Sequence, residues 1–496
     1  MGGSLRGKGS PPWRRAVMER EIGSDDGSRG QPIVLHSAAK PVGVVLPLLG
    51  LAAPMLLGQA GQVLLQLTDT LLIGHLGAVP LAAAAMAGNF VMVAMYFAYG
   101  AVGAVSPRIA QAHGAGDRQM VATTARGGMV LAICVGVGIS LALSAVVPIL
   151  DRLGQPGDVA GAGRDYLLLI AWSLPGGILA VVLGQIAEAV NRPWPVLGLM
   201  AVAVAINAIL NWCLIFGNWG CPALGLAGAG WATLVARWLH AAALLCWLAW
   251  DRRLTPLRIC SRQPRGTAME LFRLGLPVAA QDLLEGGAFA VGAVMLGWVG
   301  TNALAANQVT ISIASLAWMV PVSLSMATGV RVAHAVGAGD LAAARRTGIV
   351  AVLLGAGIMA ACAAVYVSGG KAMARVFTDD AEVAALAGTL VCIAGVYQIS
   401  DAIQSVSLGA LRGLLDNRVP MIANAICYWG LSLPTVWLLT FRCGWGATGV
   451  WMGYLPWMVA TGLFFLWRFL RLTDPARQAG LRPALRGAAT TPSPRT

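Results

Sequence analysis

Twelve stretches of about 20 predominantly apolar residues follow one another along this chain, each long enough to carry an α-helix across the hydrocarbon of a bilayer. Spans of that length and composition read as an all-α integral membrane protein. They fall at residues 44–72, 83–107, 121–148, 163–186, 194–216 and 225–250, then at 272–299, 307–332, 346–368, 384–410, 419–440 and 447–471. Charged residues make up only 11% of the 496, and a soluble globular fold is thereby excluded.

The net charge of +13 raises the question of nucleic acid, and the placement of the basic residues answers it. With the N-terminus on the inside, the inner loops hold Arg108, Arg118, Arg126, Arg252, Arg253, Arg258, Arg345, Arg346, Arg412, Arg418 and Arg468, whereas the outer loops hold only Arg152, Arg164, Lys371, Arg375 and Arg442. That asymmetry is a topology signal. It puts both termini in the cytoplasm of a multi-pass inner-membrane protein, with the lipid bilayer as its surroundings and no nucleic acid as partner. Residues 1–42 are read as a disordered basic segment and 472–496 as a disordered tail. The cysteines have neither metal-ligand spacing nor a CxxC pair. Cys221 and Cys443, at corresponding outer positions, leave a disulfide open.

The chain repeats itself at an offset of 223 residues. Pro54 matches Pro277, Gly74 matches Gly297, Gly77 matches Gly300 and Arg108 matches Arg331; the run Gly114, Ala115, Gly116, Asp117 matches Gly337, Ala338, Gly339, Asp340. Rare residues agreeing at one offset mark a duplication. Six helices per copy bring both copies in from the same side, giving two parallel bundles related about the membrane normal. The expected domains are an N-lobe over 43–250, a linker over 251–271 and a C-lobe over 272–471.

Acidic residues within apolar spans are the candidates for function, because a carboxylate at the centre of a membrane helix costs about 2.5–3.5 kcal/mol on insertion scales. Asp69, Glu285 and Asp401 stand out. Such a group can carry a proton across or, ionised, lend oxygens to Na+. Tyr397, Asp401 and Gln404 share one face of a helix, offering a ring face and a counter-charge to an organic cation. Glu285 has Asp282 one turn before it and Phe289 one turn after. Asn207 and Asn211, one turn apart, either face a lumen or bond between helices. Asp69 lies 15 residues beyond Pro54, about 22 Å along a helix that proline tends to kink.

Together these features resemble the multidrug and toxic compound extrusion (MATE) family, NorM-type bacterial branch. The residues that carry the likeness are Pro54-Met55-Leu56, Asp69-Thr70 with Gly74-His75-Leu76-Gly77, Gln111-Ala112-His113-Gly114, Leu276-Pro277 with Glu285, Ala305-Ala306-Asn307-Gln308, and the block from Tyr397-Gln398 through Asp401 and Leu411-Arg412-Gly413 to Pro420 and Tyr428-Trp429. The resemblance implies a secondary antiporter that exports amphiphilic organic cations in exchange for Na+ or H+ by rocking of its two lobes, as a monomer and without a cofactor. It implies ion coupling at Glu285, Asp401 and Asp69, with Na+ held by Glu285 and Asp401. Substrate roles are implied at Tyr397, Asp401 and Glu285, and Asn207 and Asn211 resemble the family's polar partners in the first lobe; the residues themselves add Asp282, Phe289, Gln404 and Gln308 as candidate substrate contacts, and the repeat-matched Pro54 and Pro277 as hinges. Asn307 and the extra acid Asp282 depart from the family pattern.

Other classes fare worse. The three lysines, Lys8, Lys40 and Lys371, are not followed by Ser or Thr, so no ATP-cradling loop is present. A lipid-linked oligosaccharide flippase of similar architecture needs a cationic lumen, and Arg237 is the one evident mid-span arginine. A membrane transferase needs a catalytic cluster, and the five histidines are scattered.

Overall fold

The structure is a computed structural model that describes residues 42–153, 157–251 and 266–474. Among them are twelve helices long and apolar enough to cross a membrane. In chain order these are α1 (Val42–Gly74), α2 (Ala78–Gly114), α3 (Arg118–Val146), α4 (Gly157–Ala189), α5 (Pro193–Phe216) and α6 (Leu226–Trp250). The second half has α7 (Thr267–Val299), α8 (Thr301–Gly337), α9 (Leu341–Phe377), α10 (Ala381–Gly413), α11 (Arg418–Arg442) and α12 (Gly446–Leu472). The expected segment at 1–42 except Val42, almost all of the linker and nearly all of the tail lie outside the described residues.

All twelve apolar windows are helices, but several helices outrun their windows. The segment expected at 307–332 is a helix of 37 residues, about 55 Å long at the helical rise. Hydropathy detects only the roughly 30 Å of hydrocarbon, whereas Arg331 and His334 continue the same helix beyond it. One consequence concerns Arg412. The sequence put it in a loop; it is in the last turn of α10, inside the bundle.

The repeated Gly-Ala-Gly-Asp run is a helix-to-helix corner in both halves. Gly116 and Gly339 adopt φ of 72° and 80°, the left-handed conformation that ends a helix at low cost only for glycine. The aspartate that follows caps the next helix: Asp117 Oδ1 accepts from the Met120 amide at 2.8 Å, and Asp340 Oδ1 from the Ala343 amide at 2.8 Å. Asp380 caps α10 in the same way, accepting from the Glu382 and Val383 amides. Asp340→Ala is expected to cost about 1 kcal/mol of stability, as loss of an N-cap does, and a thermal melt of the detergent-solubilised protein should register a lower midpoint without a change in fold.

The buried cores show how the halves meet. One large cluster joins both lobes: Leu48, Leu51 and Met55 of α1 and Val102 and Ile109 of α2 lie in it with Leu271, Ala279, Leu324, Ala327, Val330 and Ala333 from the second half. Towards the other end the cores are separate. Ile73, Ala83, Tyr166 and Leu226 form a cluster within the first half, and Ala288, Leu296, Tyr397, Tyr454 and Val450 form one within the second. The shared core lies at the end that carries Arg108, Arg118, Arg331, Arg412 and Arg468.

Polar contacts reinforce that end with a symmetry the repeat offset explains. Gln111 of α2 donates from Nε2 to the Gly413 carbonyl at 2.9 Å, while His334 of α8, its partner at the 223-residue offset, meets the Ala189 carbonyl at 2.7 Å through Nε2. Each bond runs from one half to the last turn of a helix in the other. Gly114 and Gly337, the next matched pair, allow the backbones to touch: a Cβ on Gly114 would strike the His334 carbonyl, and one on Gly337 would strike the Gln111 carbonyl. The His113 and His334 rings lie 5.3 Å apart beside them. Arg108 and Glu270 add an exposed ion pair at 3.3 Å.

Pro54 and Pro277 are inside continuous helices, as are Pro47, Pro175, Pro321 and Pro456. Cys221 and Cys443 are both free, so the disulfide left open by their placement is not formed.

Candidate functional site

The second half holds an acidic site built from α7, α10, α11 and α12. Asp401 is only 3% exposed, and its Oδ1 accepts from Ser405, one turn along the same helix, at 3.1 Å. Its Oδ2 has no partner. Gln404 donates to the Tyr428 hydroxyl at 3.3 Å, and that hydroxyl in turn reaches the Glu285 carboxylate. Asn424 donates to Glu285 Oε2 at 3.4 Å. Glu285 is half-buried and Tyr397 buried. Glu285 therefore faces Asp401 across a layer of amides and phenols, close enough for the two carboxylates to act on each other electrostatically.

What distinguishes this cluster is its supply of oxygen atoms with nothing to bond. Asp401 Oδ2, Gln404 Oε1 and Asn424 Oδ1 are buried and unpartnered, and the Tyr397 hydroxyl meets only that of Tyr428. An unsatisfied buried polar group costs about 1–3 kcal/mol, so three such oxygens gathered around two acids is a pattern that needs a function. The donor set, two carboxylates with amide and hydroxyl oxygens, is the hard-oxygen chemistry that suits a small alkali cation or, at either carboxylate, a proton.

Aromatic rings wall the site. Phe289 packs 5.2 Å from Tyr454 and 6.0 Å from Tyr428, and Trp451 stands edge-on to Tyr397 at 5.6 Å. Asn307, one of the two departures from the family pattern, accepts from Trp451 Nε1 at 3.1 Å. It therefore holds a ring that abuts Tyr397 and is itself one layer back. Gln308, its neighbour in the chain, is exposed.

The first half holds a separate polar cluster. Asn211 donates to Asp69 Oδ1 at 2.6 Å and to Asn207 Oδ1 at 3.0 Å. The two asparagines are fully buried: Asn211 joins α5 to α1 through Asp69, whereas Asn207 bonds to Asn211 within α5. Arg237 donates to Ser173 Oγ at 2.9 Å and is within electrostatic reach of Asp69. The candidate residues thus fall into two groups, one per lobe: Asp69, Asn207 and Asn211 in the first; Glu285, Asp282, Phe289, Tyr397, Asp401 and Gln404 in the second.

Sequence reasoning passed over Asn424 and saw Tyr428 only as part of a motif. Asn424 and Tyr428 are four residues apart on α11, the helix in which Ala425–Ser432 and Leu438–Arg442 widen to π-helix. Such widening re-aims side chains and recurs at functional positions. A polar residue one turn before a tyrosine in an apolar span was the available signal. A crevice of about 1010 Å³ also opens between α2, α3 and α7, with Phe90, Phe97, Leu131, Val135, Phe272 and Leu283 in its apolar walls.

Known proteins place this architecture. The sequence model of the MatE family matches residues 54–213 and again 277–438, two copies that begin at the matched prolines. The chain is 37% identical over 413 residues to a probable multidrug resistance protein NorM of Bradyrhizobium diazoefficiens, covering 82% of this chain and 89% of that protein. It is 35% identical over 430 residues to the multidrug resistance protein NorM of Burkholderia vietnamiensis, covering 84% and 92%. A crystal structure of the Vibrio cholerae MATE transporter VcmN in a bent form superposes with a TM-score of 0.80 at 22% identity, over 88% of this chain and 98% of that one; at that identity it speaks for the fold alone. A doubled MatE match, full-length NorM relatives and a two-lobed bundle of twelve membrane-length helices converge: the chain belongs to the MATE family of transporters, in its NorM branch, and is not an enzyme.

Proposed function

We propose that this protein is a secondary antiporter that exports amphiphilic organic cations from the cytoplasm in exchange for inward Na+ or H+. The observation that carries the proposal is the C-lobe cluster: two carboxylates, Glu285 and Asp401, with buried oxygens of Asp401, Gln404 and Asn424 that have no partner. An ionised acid there lacks the solvation that water would give, and a small cation restores it. An organic cation presents the same charge with less dense solvation, plus apolar surface suited to Phe289, Tyr397 and Tyr454. The two ligands then compete for one negative site, which is the requirement for exchange.

The shared core at the arginine-rich end and the separate cores at the other favour a V-shaped arrangement open on one side. With the positive-inside rule, the closed end faces the cytoplasm, both termini lie there, and the opening faces outward. Rocking of the lobes about that contact would expose the C-lobe site to each side in turn. The protein is taken to work as a monomer in the inner membrane. A flippase for anionic lipid-linked sugars fits less well, because Arg237 is bonded to Ser173, and the C-lobe site sets three acids, Asp282, Glu285 and Asp401, against the one guanidinium of Arg412, which is bonded to Asp282.

Efflux of ethidium from energised cells, measured in sodium-free medium over a pH series and then with Na+ restored, tests the proposal. Cells expressing the chain should lose dye faster than controls, and the rate should follow one cation gradient. The Glu285 and Asp401 pairing favours Na+, so restored Na+ is expected to accelerate efflux; efflux indifferent to both gradients would rule out exchange.

A further inference from the structure

Asp282, the acid that the family pattern does not contain, is bonded to Arg412. The Arg412 Nη2 donates to Asp282 Oδ1 at 3.0 Å, and the two side chains keep 29% and 28% of their surfaces exposed. The pair bridges α7 and α10 just on the arginine-rich side of the coupling site. Asp282 is one turn before Glu285 on α7; Arg412 is eleven residues after Asp401 on α10, three turns along and back on the same side of the helix. The guanidinium is within electrostatic reach of Glu285 as well, and its Nε is buried without a partner. An arginine has five donors in a planar fork, and here at least one of them is unused within a turn of a second carboxylate.

A pair sealed in packing would be a brace. This one is partly open, its guanidinium is unsaturated, and residues three apart on a helix lie about 5–6 Å from each other, so a change in the arginine rotamer carries its charge from Asp282 to Glu285. The charge balance gives that movement a purpose. With Arg412 on Asp282, Glu285 and Asp401 remain for the cation. When the cation leaves, the same cluster holds uncompensated negative charge in a poorly solvated place, and the only positive group tethered beside it among the described residues is Arg412.

We propose that Arg412 is a tethered cation that competes with the coupling ion for Glu285, with Asp282 as its resting partner. The inference rests on the cation-exchange proposal above. Asp282 then sets ion affinity without ligating the ion, and Arg412 speeds release of the ion by taking its place.

The opposing signs of two substitutions test this. In proteoliposomes holding the full-length protein, the readout is the concentration of the driving cation, Na+ at fixed pH or H+ without Na+, that gives half-maximal ethidium exchange. Arg412→Gln removes the competitor and frees Asp282 as a third acid, so the half-maximal concentration should fall by about tenfold, the scale on which one neighbouring charge acts on a carboxylate, with slower turnover. Asp282→Asn leaves the guanidinium to Glu285 alone, so that concentration should rise by a similar factor. The double variant, lacking both charges, should return near the wild-type value. Equal losses in both single variants without rescue, or no change in either, would overturn the proposal and leave the pair a brace. Glu285→Gln separates the two levels: cation dependence in the wild type that survives Glu285→Gln removes the exchange site itself, and with it the role given to Arg412.

Discussion

Asp401→Asn should abolish cation-driven dye export while the protein still reaches the membrane and folds. The substitution keeps the shape of the side chain and its bond with Ser405, so the packing of α10 is preserved. What it removes is the charge that makes the unpartnered oxygens of Asp401, Gln404 and Asn424 attractive to a cation. Removing one member of a desolvated charge pair costs about 2–5 kcal/mol of binding, which corresponds to roughly a thirtyfold to several-thousandfold loss. Export measured with ethidium, with expression followed by immunoblot and fold by thermal melt, should show that loss with a melting midpoint near the wild type. Glu285→Gln should do the same from the opposite side of the site. An Asp401→Asn protein that exports at the wild-type rate would remove this carboxylate from the mechanism.

The second large effect is expected at the contact between the lobes. Gly337→Leu places a side chain where the Gln111 carbonyl now lies, and neither backbone can yield without parting α8 from α2. Overpacking of this kind costs about 1–3 kcal/mol; the cost falls on the closed end alone and is relieved when that end opens. A bias of 3 kcal/mol shifts a two-state population by about 150-fold, enough to hold the lobes apart there and stop the cycle. Pulsed electron resonance between labels at Arg118 and Ala342, both exposed at that end, should report a longer distance in Gly337→Leu, together with loss of export. Gly114→Leu, at the matched position, should give the same phenotype. A variant that exports normally with unchanged distances would show that this contact does not take part in transport.

Much of this was legible in the sequence for identifiable reasons. Apolar windows report burial in hydrocarbon directly, and all twelve became helices. Matched prolines, glycines and aspartates reported the duplication, because each answers a local need: Gly116 and Gly339 form a corner, and Asp117 and Asp340 cap a helix. Asn207 with Asn211, and Asp401 with Tyr397 and Gln404, could be grouped because helical periodicity acts within one helix, whereas the bond from Asn211 to Asp69 joins two helices and was not legible. Contacts between distant helices were not legible in that way. Nothing local says that Arg412 reaches Asp282, that Asn424 reaches Glu285, or that Gln111 and His334 answer each other across the lobes. Helix ends were missed for a related reason: hydropathy ends with the hydrocarbon, and Arg412 lies beyond it on a helix that does not stop there.

The role of Arg412 and the role of the lobe contact bear on one mechanism from two sides. The contact at the arginine-rich end combines a shared apolar core with two polar bonds and two close backbone approaches, and the proposed rocking requires it to open. On the proposed mechanism the C-lobe cluster is where a ligand would bias that contact, because a cation that satisfied its oxygens would draw α7, α10 and α11 together. A ligand shifts such an equilibrium only by its differential affinity for the two states.

That link is open to direct measurement at the wide end of the molecule. Labels placed at Val79 on α2 and Leu304 on α8, both exposed there, in a cysteine-free background, report the separation of the lobes by pulsed electron resonance. The distance distribution should change when Na+ is added or the pH is lowered, and that response should vanish in a protein carrying both Glu285→Gln and Asp401→Asn. A cation response that persists unchanged in the double amide variant would contradict the account, since the lobes would then be governed from somewhere other than these two carboxylates.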